Sequence, residues 1–359
     1  MRFALGMSRV GNQWEKSDGL LSSRRGVIDD LSELGTVLLD PSPLYGGGFS
    51  ERFVGEIIAN KRDKFFVATK FYPKPSDDSR SVVLSVKKSL KNLETDHIDL
   101  LQMHWTHPNI QLDEILEAFD LLVSQGLVKS LGLSSFTGAE IEELMQSFHS
   151  PRLLSNQVEL HLGNFVFKDS WNHPKVPWTL AYSALLQGRL TYSSNQRQEL
   201  ERLAKENDVS SASLALACLM SSSEFLIPIL RISSREHLSD LMGPLITPLD
   251  HIDFSSILEM PPAQIFYLHP DQIQLEGDGF RKPYLSISEA VENLLDLIPS
   301  PVALGKRLEN NDILLPVMVS LTNDGKFVLD NKDPLNEVKR YWAWRLARPN
   351  QDVPVIVMP

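Results

Sequence analysis

Four side chains with acid–base chemistry lie at or just beyond the ends of three short apolar runs in the first third of the chain. Asp40 closes TVLLD, Lys70 closes FFVATK, His104 closes IDLLQMH, and Tyr45 follows Asp40 in PSPLYGGG. A carboxylate, a cation, an imidazole and a phenol together could protonate a carbonyl oxygen while a bound cofactor delivers hydride. These four residues therefore predict a site for carbonyl reduction.

Short apolar runs recur along residues 1–243, and segments with helical periodicity separate most of them. The runs lie at residues 2–5, 36–40, 65–70, 98–104, 129–135, 153–160, 180–185 and 225–230. Strands that alternate with helices predict an α/β fold, here a closed parallel (β/α)8 TIM barrel. The chemistry of such barrels lies at the carboxyl ends of the strands, which is where Asp40, Lys70 and His104 fall.

After residue 243 the pattern changes. A proline-rich segment, 244–263, is expected to be a linker, and residues 264–359 predict a smaller α+β domain. Its expected strands are QIFYL, LPVMVSL, KFVLD and VPVIVM, and its expected helices lie around SISEAVENLLDLI and LNEVKRYWAWRLA.

Composition narrows the class of partner. The 359 residues carry a formal net charge of −11, which disfavours nucleic acid or anionic membranes and favours a small-molecule substrate. The single cysteine, Cys218, excludes an intrachain disulfide, and no long uncharged apolar run predicts a spanning helix. We expect a cytoplasmic protein that uses no metal ion.

Six fragments, in order along the first two thirds of the chain, resemble the aldo-keto reductase family. They are LLDPSPLYGGGFSERFVGEII, VATKF, SLKNLETDHIDLLQMHW, GLVKSLGLSSF, NQVEL and AYSALLQG. The resemblance implies that Tyr45 gives a proton to the carbonyl oxygen and that His104 orients the carbonyl by a hydrogen bond. It also implies that Lys70, paired with Asp40, lowers the pKa of Tyr45 from about 10 toward the working pH.

The same resemblance implies a nicotinamide cofactor, NADPH with NADH as the alternative, bound without the G-x-G-x-x-G fingerprint, which this sequence lacks. Tyr182 matches the aromatic residue that stacks on the nicotinamide ring. Ser134 and Gln157 match side chains that hydrogen-bond the carboxamide, while Ser135 stands where the family usually has Asn.

At the adenosine end, Arg231 and Arg235 in PILRISSREHLSD match residues that clamp phosphate. Two guanidinium groups favour NADPH, because a 2′-phosphate offers each of them a bidentate partner. The resemblance implies further cofactor contacts at Gly6, Met7, Ser183, Leu185, Gly188, Ser233 and Ser234.

For the substrate pocket, the resemblance implies Trp14, Trp105 and His107. The aromatic segment 162–178 is expected to be either a substrate gate or a surface that docks the C-terminal domain. Residues 264–359 faintly resemble the ParB/sulfiredoxin-like fold, but the segment after NDG lacks the glycine and cysteine of those families, which excludes the sulfiredoxin reaction. Its basic and aromatic residues around 339–348 could contact nucleic acid, although packing of an amphipathic helix is favoured.

Two hypotheses for function remain. The first is an NADPH-dependent enzyme that reduces an aldehyde or ketone, with Tyr45 as general acid and a C-terminal domain that shapes the pocket or recruits the substrate. The second is a catalytically idle barrel that senses the nicotinamide redox state and acts through the C-terminal domain. The complete set of four catalytic positions favours the first.

Overall fold

The chain forms two compact units. The computed structural model describes residues 3–8, 10, 18–74, 76–105, 110–147, 153–165, 173–246, 249, 251–260, 263–275, 286–292, 300–309, 316–323, 325–330 and 334–358. The first unit comprises Met1–Thr191 and Gln196–Met260, and the second comprises Pro261–Pro359 with Tyr192–Asn195. Each unit has a hydrophobic core of its own.

The first unit is a closed barrel of parallel strands, which confirms the predicted (β/α)8 fold. Strands that follow one another in sequence pair with one another, and β1 pairs with β8 to close the ring. The strands are β1 (Ala4–Gly6), β2 (Val37–Asp40), β3 (Phe65–Phe71), β4 (Ile98–Met103), β5 (Val128–Ser134), β6 (Leu153–Glu159), β7 (Trp178–Tyr182) and β8 (Leu226–Leu230).

Helices surround these strands, with one departure from strict alternation. They are α1 (Asp18–Leu34), α2 (Phe49–Ile58), α3 (Ser79–Leu93), α4 (Leu112–Ser124), α5 (Gly138–Ser147), α6 (Ser194–Glu206), α7 (Ser211–Ser221), α8 (Arg235–Ile246) and α9 (Ser255–Leu258). Between β6 and β7 the described residues contain no α-helix, only a 3-10 turn at 162–165 and a bridge between His173 and Val176. Two helices, α6 and α7, lie between β7 and β8 instead.

The barrel interior changes from apolar to polar along the strands. An inner cluster contains buried Ala68, Leu100 and Leu180 together with Leu38 and other aliphatic residues. Side chains on a strand alternate between faces, so the inward positions that follow Leu38, Ala68 and Leu100 are Asp40, Lys70 and Gln102. The apolar inner layer therefore supports a polar layer at the carboxyl ends of β2, β3 and β4.

The linker expected at 244–263 differs in the structure. Residues up to Met260 belong to the barrel unit, because Phe254 and Ile257 are buried in its core at 7% and 0% exposure and Leu258 packs against it. Prolines in this stretch do not prevent α9 from forming between them. The units divide at Met260 and Pro261, beyond the boundary expected at 243.

The second unit is an α+β domain with a mixed sheet in the order β10-β12-β11-β13-β9. Its elements are β9 (Phe266–Leu268), β10 (Ile273–Gln274), α10 (Ile287–Glu292), α11 (Pro301–Glu309), β11 (Val317–Leu321), β12 (Phe327–Leu329), α12 (Pro334–Ala347) and β13 (Val353–Met358). The sequence patterns predicted all of these except β10 and α11. No helix in the described part of the chain has the length and apolar character to cross a membrane.

Close packing of α2 on α3 fixes the helix that follows the Tyr45 turn. A Cβ at Gly55 in α2 would lie 2.9 Å from the backbone oxygens of Asn92 and Leu93 at the end of α3. Only a residue without a side chain therefore fits at this crossing. Gly19 in α1 has no neighbouring atom within 4 Å of such a Cβ.

We expect Gly55→Ala to destabilise the barrel by about 1–3 kcal/mol, because backbone atoms cannot move aside for the methyl group. The matched variant Gly19→Ala should be neutral or more stable by up to about 1 kcal/mol, since alanine favours a helix. Thermal and urea unfolding of both variants measure this difference. Equal stabilities would contradict the packing described for α2 and α3.

Candidate active site

Asp40 and Lys70 form a buried ion pair at the carboxyl end of the barrel. Asp40 ends β2 and Lys70 lies in the neighbouring strand β3, and the two residues are 3% and 1% exposed. Lys70 Nζ lies 2.8 Å from Asp40 Oδ1 and also donates to the Pro41 carbonyl oxygen at 3.2 Å. The adjacent strands thus hold a cation and its counter-ion at the same level along the barrel axis.

Tyr45 lies beside both Lys70 and His104. Its ring centroid is 5.0 Å from Lys70 Nζ, and its ring meets the His104 ring edge to face at 6.0 Å between centroids. The turn that carries Tyr45 is closed by hydrogen bonds, because Tyr45 N donates to Ser42 O and Ser50 N donates to Tyr45 O. The structure therefore brings together all four residues that the sequence singles out.

Burial sets the direction of the pKa shifts in this cluster. Although part of the Tyr45 side chain is exposed, burial raises the pKa of its phenol above 10, while the charge of Lys70 works in the opposite direction. The lowered pKa expected from the sequence is therefore wrong for this structure, because desolvation outweighs the nearby cation. For Lys70, burial alone would lower the pKa of the ammonium, but Asp40 and Tyr45 together raise it.

Two glutamines complete the surroundings of Asp40. Gln102 Nε2 and Gln157 Nε2 donate to Asp40 Oδ1 at 3.0 and 3.2 Å, and Gln157 Nε2 also donates to Gln102 Oε1 at 3.1 Å. The sequence analysis did not select Gln102. It could have been recognised from the sequence as a polar residue two positions before His104, and therefore on the same face of the strand β4.

The residues expected at the nicotinamide end lie at the ends of three adjacent strands. Ser134 ends β5 and is the register partner of Gln157 in β6, while Tyr182 ends β7 opposite Glu159. Ser135 adopts a left-handed conformation with φ of 62°, and its N–H donates to Gln157 O at 2.7 Å. Asn, the usual family residue here, tolerates that conformation better than Ser.

The loop after β7 has an irregular backbone. Positive φ angles occur at Ser183 (56°), Leu186 (46°), Gln187 (53°), Gly188 (90°) and Leu190 (69°). This loop contains Ser183, Leu185 and Gly188, three expected cofactor positions. Successive amides in such conformations can point into one concavity and bind an anion.

The expected adenosine end lies between β8 and α8. Arg231 is exposed, and Ser234 Oγ accepts from His237 N at the start of α8. Arg235 forms a bidentate pair with Asp30 of α1, at 2.6 Å from Nε and 3.0 Å from Nη2. The partly exposed Asp30, which the sequence analysis did not select, therefore competes for the guanidinium assigned to phosphate.

The remaining expected positions are less informative. Met7 N donates to Asp40 O, the carbonyl oxygen of Gly6 accepts from the buried Arg24, and Ser233 O accepts from Ser23 Oγ. Trp105 follows β4 and is partly exposed, whereas Trp14 and His107 lie outside the described residues. Within the described ranges, no group of three His, Cys, Asp or Glu side chains is placed to hold a metal ion.

Comparison with known proteins identifies the barrel. The model of the Aldo/keto reductase family matches residues 2–260. The chain belongs to the aldo/keto reductase family. This aldo/keto reductase is therefore an oxidoreductase. The matched residues are those of the barrel unit, and the match ends at residue 260, just before the second unit begins. The resemblance of that unit to the ParB/sulfiredoxin-like fold stays a prediction.

Similar proteins include two bacterial reductases and two crystal structures. Methylglyoxal reductase YeaE of Escherichia coli is 30% identical over 53% of this chain and 67% of its own length. The 6-dehydroglucose reductase of Agrobacterium fabrum is 27% identical over 69% of this chain and 90% of its own length. A thermostable aldo-keto reductase in complex with epalrestat has a TM-score of 0.61 at 25% identity, covering 72% of this chain and 94% of its own. The Klebsiella pneumoniae aldo/keto reductase in complex with NADP and acetate, at 22% identity over 72% and 92%, shares the fold with a TM-score of 0.62.

Removal of the buried cation should cost stability as well as activity. We expect Lys70→Met to lower the free energy of unfolding by about 3–5 kcal/mol, because Asp40 would remain charged and buried without its counter-ion. Lys61→Met removes one member of a partly exposed pair, Lys61–Asp29 at 2.6 Å, and should cost no more than about 1 kcal/mol. Adding Asp40→Asn to Lys70→Met should recover part of the loss in chemical denaturation. If the two lysine variants lose the same free energy of unfolding, the Asp40–Lys70 pair does not contribute more to stability than a surface ion pair.

Proposed function

We propose that this aldo/keto reductase is an NADPH-dependent enzyme that reduces an aldehyde or ketone to an alcohol. The observation that carries the proposal is the chain of contacts from Asp40 through Lys70 to Tyr45, with His104 edge to face with the Tyr45 ring. Its place at the carboxyl ends of barrel strands is where catalytic groups of this fold gather.

In the proposed reaction Tyr45 is the general acid. As hydride forms the new C–H bond, the electrons of the carbonyl π bond move to oxygen, and the Tyr45 hydroxyl protonates that oxygen. Lys70, itself held by Asp40, stabilises the resulting phenolate through its charge and hydrogen bond. His104 orients the carbonyl oxygen. Burial raises the pKa of the Tyr45 phenol, and the charge of Lys70 opposes that rise.

The residues at the barrel mouth fit a nicotinamide. Ser134, Gln157 and Tyr182 offer a hydroxyl, an amide and an aromatic face from adjacent strands, which suit a carboxamide and a planar ring. The loop 183–190, with its left-handed residues, suits the pyrophosphate. NADPH, when bound, supplies the hydride.

The relatives support the class of reaction. Two of them carry the names methylglyoxal reductase and 6-dehydroglucose reductase, and the Klebsiella pneumoniae protein of the same fold is in complex with NADP. A small aldehyde or ketone is accordingly the proposed substrate class. For the 2′-phosphate, Arg231 and Arg235 are the proposed ligands, and Arg235 would exchange Asp30 for phosphate.

Tyr45→Phe tests the catalytic assignment. We expect turnover to fall by about 10²-fold or more with the Kd for NADPH unchanged, because only the transferred proton is lost. The measurement is the loss of NADPH absorbance with a panel of aldehydes and ketones. Tyr267→Phe, at an exposed residue of the second unit, serves as the control and should retain full activity.

Two results would contradict the assignment. Undiminished turnover of Tyr45→Phe would remove Tyr45 from the reaction. Tight NADPH binding by the unaltered chain without turnover of any carbonyl would favour the alternative of a nicotinamide sensor.

Asp30 and Arg235 provide a test of cofactor choice. Arg235→Gln should weaken NADPH by about 5-fold or more and leave NADH nearly unchanged, because the lost charge-assisted bonds go to the 2′-phosphate. Asp30→Asn should strengthen NADPH by a few-fold, roughly the value of an exposed ion pair, since it frees the guanidinium and removes a negative charge. Equilibrium titrations with both cofactors measure these effects. If both variants shift NADPH and NADH equally, Arg235 does not bind the 2′-phosphate.

A further inference from the structure

The outer face of α3 is basic. Its exposed cations are Arg80, Lys87, Lys88 and Lys91, at spacings of three, four and seven residues that keep them on one side of the helix. Leu84, which is 57% exposed, lies among them. None of these cations forms an ion pair with another residue in the described part of the chain. We call this face the basic strip.

The outer face of the neighbouring helix α4 is acidic. Its exposed carboxylates are Asp113, Glu117 and Asp120, which we call the acidic strip. Leu121 follows them and is 45% exposed. Within the described ranges these carboxylates likewise have no ionic partner. The two helices pack side by side, and Ser79 N donates to Glu114 Oε2 at 3.1 Å, so they begin at about the same level.

The charges of the two strips have the same spacing. Arg80 and Lys87 are seven residues apart on α3, and Asp113 and Asp120 are seven residues apart on α4. Seven residues are about two turns of helix, or about 10.5 Å along its axis. A basic strip laid on an acidic strip can therefore form both ion pairs at once.

A second copy of the chain fits this surface best. A twofold axis that runs parallel to α3 and α4 and midway between them brings each strip of one copy onto the opposite strip of the other. Nucleic acid or an anionic membrane would meet the acidic strip and a formal net charge of −11. An acidic peptide would match the basic strip alone and leave the acidic strip uncompensated.

We propose that α3 and α4 form a self-complementary surface through which two copies of this chain associate, with Lys87 of each copy paired with Asp120 of the other. The leucines within the strips, Leu84 and Leu121, are then shielded from water. Two adjacent helices of this length cover roughly 20 Å by 20 Å. Such a patch buries about 800 Å² in total over both copies, which is the size of a weak association.

Sedimentation equilibrium of the full chain tests the proposal, with neither cofactor nor substrate required. At low salt the unaltered chain should form a dimer whose fraction increases with concentration. Its dissociation constant should rise by about 10-fold or more in 0.5 M NaCl, because salt screens exposed charges. Lys87→Glu and Asp120→Lys should each weaken the dimer by about 10-fold or more, since the twofold axis makes like charges face each other twice.

Two combinations should restore the association. One is the chain that carries both Lys87→Glu and Asp120→Lys, and the other is an equimolar mixture of the two single variants. In both cases each substituted position faces an opposite charge across the twofold axis. The doubly substituted chain also keeps the net charge of the unaltered chain, because one change removes two positive units and the other adds two.

Lys205→Glu is the matched control. Lys205 is an exposed residue of α6 and, like Lys87, forms no ion pair with any residue that the structure describes. The substitution changes the net charge as Lys87→Glu does, but it lies outside both strips. The dissociation constant should stay within about 2-fold of the unaltered value, the change expected for an exposed charge away from the interface.

Three results would overturn the inference. The first is an unaltered chain that stays monomeric at low salt at every concentration. The second is a dimer that Lys87→Glu and Asp120→Lys weaken no more than Lys205→Glu does, because it would use another surface. The third is a loss in the single variants that neither the doubly substituted chain nor the mixture recovers. Restored association in both combinations would support the pairing of Lys87 with Asp120 between copies.

Discussion

Burial of one negative charge constrains most of the barrel mouth. Asp40 is almost fully buried, and a carboxylate in such a place must receive hydrogen bonds and a counter-ion. Its Oδ1 is contacted from β3 by Lys70 and from β4 and β6 by two glutamines. These strands must therefore end at matching heights. The same Lys70 then lies beside the Tyr45 ring, so the requirement to satisfy a buried acid also places the proposed proton donor.

Much of this arrangement follows from local sequence patterns. Apolar runs that alternate with helical segments sufficed to predict the barrel. Because Asp40, Lys70 and His104 each close one of these runs, they were expected at the same end of the barrel. The reason is geometric, because parallel strands in a closed barrel all present their carboxyl ends on the same side. Tyr45 was predictable as well, since it follows Asp40 by only five residues.

Other features depend on contacts between distant positions and were not predictable in this way. Asp30 and Arg235 are 205 residues apart, and nothing local to either residue indicates their pairing. The pKa of Tyr45 depends on how much protein surrounds its hydroxyl, a quantity that no motif carries. The segment before Met260 reads as a linker because of its prolines, yet Phe254 and Ile257 find apolar partners in the barrel core.

The loop after β7 owes its shape to the main chain. Its left-handed residues include Leu186, Gln187 and Leu190, which are not the amino acids that usually adopt such angles. A surface that main-chain amides shape depends on the torsion angles of its backbone. A substitution that changes those angles would therefore alter the surface even at a position whose side chain contacts no ligand.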